Sequence, residues 1–343
     1  MPTAIANVET GDDSLLGGAG DDTIFGEAGE DTIDGGTDDD SVEGGANDDL
    51  LVISDNFGND TITGGEIGET TGDTLDGGSL TEAVNVVYSG DEAGDAANSV
   101  TGDSAAFSEI EHINTGSGDD TIDGTLDTVG IDLNAGAGAD TILGGQAGDT
   151  LNAGSGADTI DGQAGDDTIN AGDDADEIRL TDGFDNDSII GGEGGNDSDT
   201  VSGATLTEDV VVTFDGDEQG DFVSQAGNGS ASFEEIEAVE TGLGDDTVDA
   251  TNDTTGVTIL TNEGEDVIIG GAGDDSIDAG DDDDTITFGQ NDTVLGGDGA
   301  DEFIIQPTTG GMGVIGDFDP STNVDNTVIY DPANPPDQDD NDF

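Results

Sequence analysis

The sequence predicts an all-β chain folded as a parallel solenoid of the β-roll or β-helix type. Two observations lead to this prediction: a nine-residue repeat in strict register, and a composition that cannot build an ordinary globular core. Starting at Gly17, four consecutive blocks read GGAGDDTIF, GEAGEDTID, GGTDDDSVE and GGANDDLLV. Each block has Asp at its sixth place and an apolar residue at its eighth. Repeats of such a short period are typical of solenoids, in which each repeat contacts only its neighbours.

Each place of the nonamer has a physical reason. Glycine at the first, second and fourth places lets the turn adopt backbone conformations that other residues avoid, and lets carbonyl groups approach one another. The sixth-place carboxylate then lies in the same small volume, and calcium prefers about six to eight such oxygens. The last three residues form a short strand whose eighth-place side chain points inward, as predicted for Ile24, Ile33, Val42 and Leu51. Two nonamers complete one coil, and coils must stack to bury these side chains.

The composition indicates a chain that depends on metal. There are 85 Asp and Glu residues against a single Lys or Arg, a net charge of −84, and 60 Gly in 343 residues. Without cations such a chain should be disordered by self-repulsion, and the absence of Cys excludes a disulfide framework in place of metal. Nucleic acid and anionic membrane surfaces are disfavoured partners, because both are polyanions. We expect no membrane-spanning segment and no N-terminal signal peptide.

Three repeat runs and two interrupting modules organise the chain. The modules match at an offset of 126 residues, which aligns Tyr88 with Phe214 and Phe107–Glu111 with Phe233–Glu237. We expect each module to be a wider coil that carries a mobile outward loop, at 90–103 and at 216–230. The predicted division is run 1 at 8–74, module 1 at 75–114, run 2 at 115–200, module 2 at 201–240, run 3 at 241–304, and a C-terminal cap with an acidic tail at 305–343.

The C-terminal part is expected to close the solenoid. Residues 314–320 and 327–330 are apolar enough to form two terminal strands, and residues 331–343 form an acidic tail that contains proline. Capping of this kind would protect the open strand edge of the last coil.

The predicted metal ligands are the sixth-place aspartates, because they recur in coil after coil. Fifth-place acids such as Asp21, Asp166 and Asp274 should face solvent, since neighbouring side chains on a strand point to opposite sides. The predicted ligands are Asp13, Asp22, Asp31, Asp40, Asp49, Asp60, Asp120, Asp140, Asp149, Asp158, Asp167, Asp176, Asp187, Asp246, Asp266, Asp275, Asp284 and Asp301.

Other interpretations of the acidic residues fit less well. Halophilic acidity has no nine-residue phase, and a pair of catalytic carboxylates for glycoside hydrolysis would be unique, not repeated in every coil. The one Arg, Arg179, and the one His, His112, lie far apart in the sequence with no cluster around them. We therefore expect no catalytic residue, no organic cofactor and no enzymatic activity in this chain.

These repeats resemble the RTX, or hemolysin-type calcium-binding, repeats over most of residues 8–304. The resemblance implies a noncatalytic, bacterial secreted protein: a β-roll with calcium between successive turns, type I secretion through an uncleaved C-terminal signal, and folding outside the cell. The segment at Asp317 and Phe318 is similar to the end cap of such rolls. Three residues depart from the pattern, Ala147, Gln163 and Phe288, which puts the calcium sites beside them in question. In some bacterial relatives such a region runs on into a hedgehog/intein-like processing domain, so the resemblance leaves open whether the chain is a fragment.

The function expected from the sequence is that of a secreted calcium-binding structural element of a cell surface, matrix or adhesin. The alternative is the calcium-folding and secretion module of a larger secreted enzyme or toxin whose catalytic domain lies outside this chain. Expected partners are calcium ions, other surface components, and a second copy of the chain joined end to end, since a stiff solenoid has open strand edges at its ends.

Overall fold

Strands with a buried aliphatic residue at their centre are the building unit of the fold. The structure, a computed structural model, describes residues 4–6, 10–65, 67–195, 198–289, 291–306, 314–316 and 327–330. In the triplets Thr141–Leu143 and Thr159–Asp161 the central Ile142 and Ile160 are fully buried and lie side by side in parallel register. Ile24, Ile33, Val42 and Leu51 are buried in the same way. The predicted all-β parallel solenoid is confirmed.

Two compact units divide the chain, one formed by Met1–Asp176 with Glu193–Asp197, the other by Glu177–Gly192 with Ser198–Phe343. The first contains strands β1 (Ala4–Ala6), β2 (Ser14–Ala19), β3 (Thr23–Ala28), β4 (Thr32–Thr37), β5 (Ser41–Ala46), β6 (Leu50–Val52), β7 (Asn59–Thr63), β8 (Thr74–Asp76), β9 (Val84–Gly90), β10 (Ala93–Asn98), β11 (Ser104–Ser108), β12 (His112–Gly116), β13 (Thr121–Asp123), β14 (Asp132–Ala137), β15 (Thr141–Leu143), β16 (Thr150–Ser155), β17 (Thr159–Asp161) and β18 (Thr168–Asp173).

The second unit contains strands β19 (Glu177–Arg179), β20 (Ser188–Ile190), β21 (Thr200–Ser202), β22 (Val210–Gly216), β23 (Gln219–Ser224), β24 (Ser230–Glu234), β25 (Ala238–Glu240), β26 (Thr247–Asp249), β27 (Thr258–Leu260), β28 (Val267–Ile269), β29 (Ser276–Asp278), β30 (Thr285–Phe288), β31 (Thr293–Leu295), β32 (Glu302–Ile305), β33 (Val314–Ile315) and β34 (Thr327–Tyr330). Within the described ranges there is no α-helix, and so none long and apolar enough to cross a membrane.

Each unit has one sheet with an inserted antiparallel hairpin and one plain sheet. In the first unit the hairpin-bearing sheet runs β1-β3-β5-β7-β11-β10-β9-β13-β15-β17, and the plain sheet runs β2-β4-β6-β8-β12-β14-β16-β18. In the second unit the corresponding orders are β20-β24-β23-β22-β26-β28-β30-β32-β34 and β19-β21-β25-β27-β29-β31-β33. Every pairing outside the hairpins is parallel.

The interrupting modules are part of the sheets, so the expectation of mobile outward loops is wrong. β10 lies inside predicted loop 90–103 and pairs antiparallel with both β9 and β11, while β23 does the same inside predicted loop 216–230. The sequence of β10 does not look like a strand, because its buried positions hold the small residues Gly94 and Ala96 and the polar Asn98. A larger residue at Gly94 would meet the ring of Phe107, so the close packing requires glycine.

The duplication of the two modules is confirmed in three dimensions. Tyr88 packs edge-to-face on Phe107 with ring centroids 5.6 Å apart, and their equivalents Phe214 and Phe233 pack in the same way at 5.2 Å. Aromatic pairs in this geometry stabilise a core by about 0.5–1.5 kcal/mol beyond their burial. The two hairpins are therefore the same structural device used once in each unit.

Both predicted C-terminal strands are present. β33 pairs with β31, and β34 pairs with β32, each in parallel register. The segment at Asp317 and Phe318 that resembles an end cap, the rest of the first predicted strand to 320, and the acidic tail at 331–343 lie outside the described residues. The six-part division of the sequence stays a prediction.

Candidate calcium-binding turns

The turns between strands hold the predicted ligands. All of the predicted aspartates except Asp13 are buried, the most exposed of these being Asp60 at 6 %, and Asp13 is half-buried. The fifth-place acids Asp21, Asp166 and Asp274 are exposed, as predicted. The structure therefore separates adjacent acidic residues into one that faces the interior and one that faces water.

The buried aspartates form rows that link one coil to the next. The backbone N–H of Asp140 donates to Oδ1 of Asp158 at 2.7 Å, and that of Asp158 donates to Oδ1 of Asp176 at 2.7 Å. Asp22 donates to Asp40 in the same way at 2.7 Å. One oxygen of each carboxylate is thus occupied by holding two coils in register, which leaves the second oxygen for another partner.

For many of these residues the second oxygen has no protein partner. Oδ2 is buried and accepts no hydrogen bond in a set that we call the open aspartates. The open aspartates are Asp31, Asp40, Asp49, Asp73, Asp120, Asp140, Asp158, Asp266 and Asp284. A buried anionic oxygen without a partner costs several kcal/mol, so a cation at these positions would stabilise the fold.

Backbone carbonyl groups point into the same spaces. A Cβ placed on Gly44 would lie 2.5 Å from Oδ2 of Asp49 and 3.0 Å from the carbonyl oxygen of Gly64, which belongs to the neighbouring coil. The glycine therefore leaves room in which a carboxylate and a carbonyl of adjacent coils converge. This mixture of hard oxygen donors is the kind that calcium prefers.

Burial raises the pKa of the carboxyl groups in the buried aspartate rows, because it disfavours the charged form. The pKa rises to about 7 for Asp60, Asp140 and Asp266, and to about 8 for Asp284, in each case against the opposing effect of the backbone N–H donor. Nearby carboxylates add to this rise. Without a cation these groups hold protons near neutral pH, and a bound divalent ion would displace those protons.

The donor set fits calcium between coils and does not resemble a compact metal cluster. In the part of the chain that the structure describes, no group of three or more His, Cys, Asp or Glu side chains gathers around one point. Each turn contributes about one buried carboxylate, so backbone carbonyl groups would supply the other ligands of an ion. The predicted aspartates remain predictions as ligands, but their placement is suited to this role.

Some buried aspartates of the same kind were not among the ligands predicted from the sequence. Oδ1 of Asp73 accepts the N–H of Asp49 at 2.6 Å, and Oδ1 of Asp292 accepts the N–H of Asp275 at 3.1 Å. Asp199 is also fully buried. Each precedes Thr and an aliphatic residue, so the triplet Asp-Thr-aliphatic would have found all three.

His112 and Arg179 each make a surface contact within their own unit. Nδ1 of His112 lies 2.9 Å from Asp132, and its Nε2 lies 2.7 Å from the carbonyl oxygen of Thr71. Arg179 donates two hydrogen bonds to Glu177, at 2.9 and 2.8 Å, and both side chains are substantially exposed. Exposed pairs of this type contribute about 0–1 kcal/mol, so these contacts are local and modest.

Comparisons with known proteins agree with the turn geometry. The family model described as the RTX calcium-binding nonapeptide repeat (4 copies) matches residues 8–42, 29–55, 107–127, 132–154, 143–178, 260–290 and 289–304. No curated protein sequence matches the chain. Among solved structures, the extracellular lipase LipA from Serratia marcescens is 14% identical with a TM-score of 0.21, and the match covers 69% of this chain and 38% of the lipase. A likeness this low carries no argument about the fold or the activity of the chain.

The matched segments fall in all three predicted repeat runs, where the buried aspartate rows also lie. The chain therefore carries multiple RTX calcium-binding nonapeptide repeats, which is consistent with an RTX repeat protein.

Proposed function

We propose that this chain is a secreted structural element that folds when it meets extracellular calcium and then serves as part of a cell surface, a matrix or the stiff portion of an adhesin. The observation that supports this function best is the set of open aspartates, each buried with one carboxylate oxygen that no protein group satisfies. Their repetition along the chain suits an array of structural ions and does not suit a single reaction centre.

Charge balance supports the same function. The net charge is −84, and the single Arg179 is already paired with Glu177. Calcium is then the counterion that allows closely stacked carboxylates to remain together, and its binding free energy becomes folding free energy. Sites of extracellular modules bind with Kd values of about 10⁻⁴–10⁻³ M, which would keep the chain unfolded at low calcium and folded outside the cell.

Circular dichroism with and without calcium tests this proposal. We expect a disordered spectrum in EDTA at pH 7.5 and a β spectrum at about 1 mM calcium, with the same magnesium concentration as the control for ionic strength. Magnesium should fold the chain less well, because it requires a stricter octahedral geometry and loses water reluctantly. A stable β spectrum in EDTA at low ionic strength would refute calcium-coupled folding.

Localisation is tested separately from folding. Antibody labelling of intact producing cells and assay of the culture medium should find the chain outside the cell, in a form that EDTA exposes to protease. Recovery of the native chain only inside the cells would contradict the proposed role even if calcium folds the purified protein.

A further inference from the structure

A second class of buried aspartate has both carboxylate oxygens satisfied by the protein. Oδ2 of Asp149 accepts the N–H of Gly145 at 2.6 Å, and Oδ2 of Asp275 accepts the N–H of Gly271 at 2.9 Å. In each case the donor lies four residues earlier, in the same turn. We call this class the capped aspartates. Its members are Asp149, Asp246, Asp275 and Asp292, whose donors are Gly145, Gly242, Gly271 and Gly289.

The backbone at the second place of the turn separates the two classes. In the turn that ends at the open Asp158, Gly154 has a φ of +113° and pairs in parallel register with Gly172 of the next coil. In the turn that ends at the capped Asp149, Gly145 lies outside the left-handed region, and its N–H turns back to the carboxylate of its own turn. The same contrast holds between Gly280, with φ of +97° before the open Asp284, and Gly271 before the capped Asp275.

The neighbouring coil also differs beside Asp149. Its other oxygen, Oδ1, accepts the N–H of the aliphatic Ile131 at 2.7 Å, whereas Oδ1 of the open Asp158 accepts the N–H of another aspartate, Asp140. In that coil the turn before Ile131 is held by Asp127, the closing aspartate, whose Oδ1 accepts the N–H groups of Val129 and Gly130, both at 2.9 Å. The stacked turns on this side are therefore tied together by protein hydrogen bonds.

The second unit repeats this arrangement independently at the offset of 126 residues. Oδ1 of Asp253 accepts the N–H groups of Thr255 and Gly256, both at 3.0 Å, and Oδ1 of Asp275 accepts the N–H of Val257 at 3.2 Å. The two copies share the aliphatic residue, the closing aspartate and the capped aspartate. A chance rotamer would not recur at every one of these places.

We propose that the capped aspartates do not bind calcium, and that calcium enters the turns of the open aspartates instead. This inference rests on the proposed calcium-dependent function and assigns its ions to particular turns. A carboxylate that accepts an N–H on each oxygen has both oxygens occupied by protein donors, so an ion at that turn would have to break the bond to Gly145 or Gly271. The family pattern alone would assign calcium to both classes, since Gly270–Asp275 reads GGAGDD.

Matched Asp-to-Asn variants test the assignment. Asp158→Asn removes the charge beside the unsatisfied oxygen but keeps an oxygen for the N–H of Asp140, whereas Asp149→Asn alters a capped residue one half-coil away. Asp284→Asn and Asp275→Asn form the corresponding pair in the second unit. Bound calcium per chain is measured by equilibrium dialysis and atomic absorption at saturating calcium, with circular dichroism to verify that each variant is folded.

We expect Asp158→Asn and Asp284→Asn each to lose about one ion per chain or more, because stacked turns share their ions, and Asp149→Asn and Asp275→Asn to lose none. Equal losses in the two classes, or no loss in the open class, would overturn the inference while leaving calcium-dependent folding in place. A wild-type chain that binds no calcium would instead overturn the proposed function. If a capped variant does not fold, anomalous scattering from wild-type crystals decides: a calcium peak within bonding distance of Asp149 or Asp275 rejects the inference.

Discussion

A pH titration of the calcium-free chain tests the energetic role of the buried aspartates. In EDTA at neutral pH the chain should be unfolded, and lowering the pH should fold it, because protons then neutralise the buried carboxylates in place of calcium. Asp60, Asp140 and Asp266 have their pKa raised from 3.8 to about 7. Since these groups bind protons more tightly in the folded state, their contribution to stability is complete below pH 3.8 and is lost as the pH rises towards 7.

The magnitude is large enough to decide folding. A pKa raised from 3.8 to about 7 corresponds to about 4 kcal/mol of destabilisation per ionised carboxylate. Three such groups amount to about 12 kcal/mol, and an ordinary domain is stable by only about 5–15 kcal/mol. The calcium-free fold therefore should not survive above neutral pH, whereas the calcium-bound form should be insensitive over the same range.

The midpoint of the transition distinguishes the buried rows from general charge repulsion. Far-ultraviolet circular dichroism in EDTA, from pH 3.5 to pH 8, should give a midpoint near pH 6–7, the range of the raised pKa values of Asp158 and Asp140. Exposed carboxylates titrate near pH 4 and their repulsion is screened by about 1 M salt. A midpoint near pH 4 that moves strongly with salt would refute the reasoning, as would a β spectrum in EDTA at pH 8.

Five further substitutions, two of them controls, probe the register, the turns and the core, each measured at saturating calcium. Asp158→Ala should lower the number of bound calcium ions while the exposed Asp166→Ala does not, and equal losses by equilibrium dialysis would contradict the assigned register. Gly156→Ala should destabilise the fold by about 1–3 kcal/mol in urea unfolding, because φ is +127° and a Cβ would strike the neighbouring coil. Gly90→Ala, where a Cβ meets nothing within 4 Å, should change stability by less than about 0.5 kcal/mol, and a loss equal to that of Gly156→Ala would argue against the tight turn. Ile160→Ala should cost about 2–5 kcal/mol by the same assay, since Ile160 is 0 % exposed; a smaller loss would mean that the coil interior repacks.

The repeat phase alone predicted most of what the structure shows in the regular coils. A single inward side chain per strand requires stacking, so the burial of Ile24 and Leu51 followed from their place in the nonamer. The split between buried sixth-place and exposed fifth-place acids followed from the alternation of side chains. These features depend on the local geometry of one strand and one turn, so the nine-residue pattern is enough to predict them.

The hairpins could not be predicted in the same way, because their stability comes from pairing between distant segments. β10 has small or polar residues at its buried positions and reads as a loop, yet strands on both sides supply its hydrogen bonds. Asp73, Asp199 and Asp292 were not predicted as buried aspartates for a related reason. The turns before them do not follow the nonamer, yet the strand that follows each of them keeps its register.

The sequence by itself determined the repeat, the inward residues and the rows of aspartates. Only the tertiary structure decided which carboxylate oxygens remain available for an ion. Gly145 and Gly154 are the same residue at the same place of the nonamer, but only Gly154 has a φ in the left-handed region, and the N–H of Gly145 turns back to Asp149. Glycine adopts both conformations at little cost, so the neighbouring coil, through its hydrogen bonds and close contacts, selects between them.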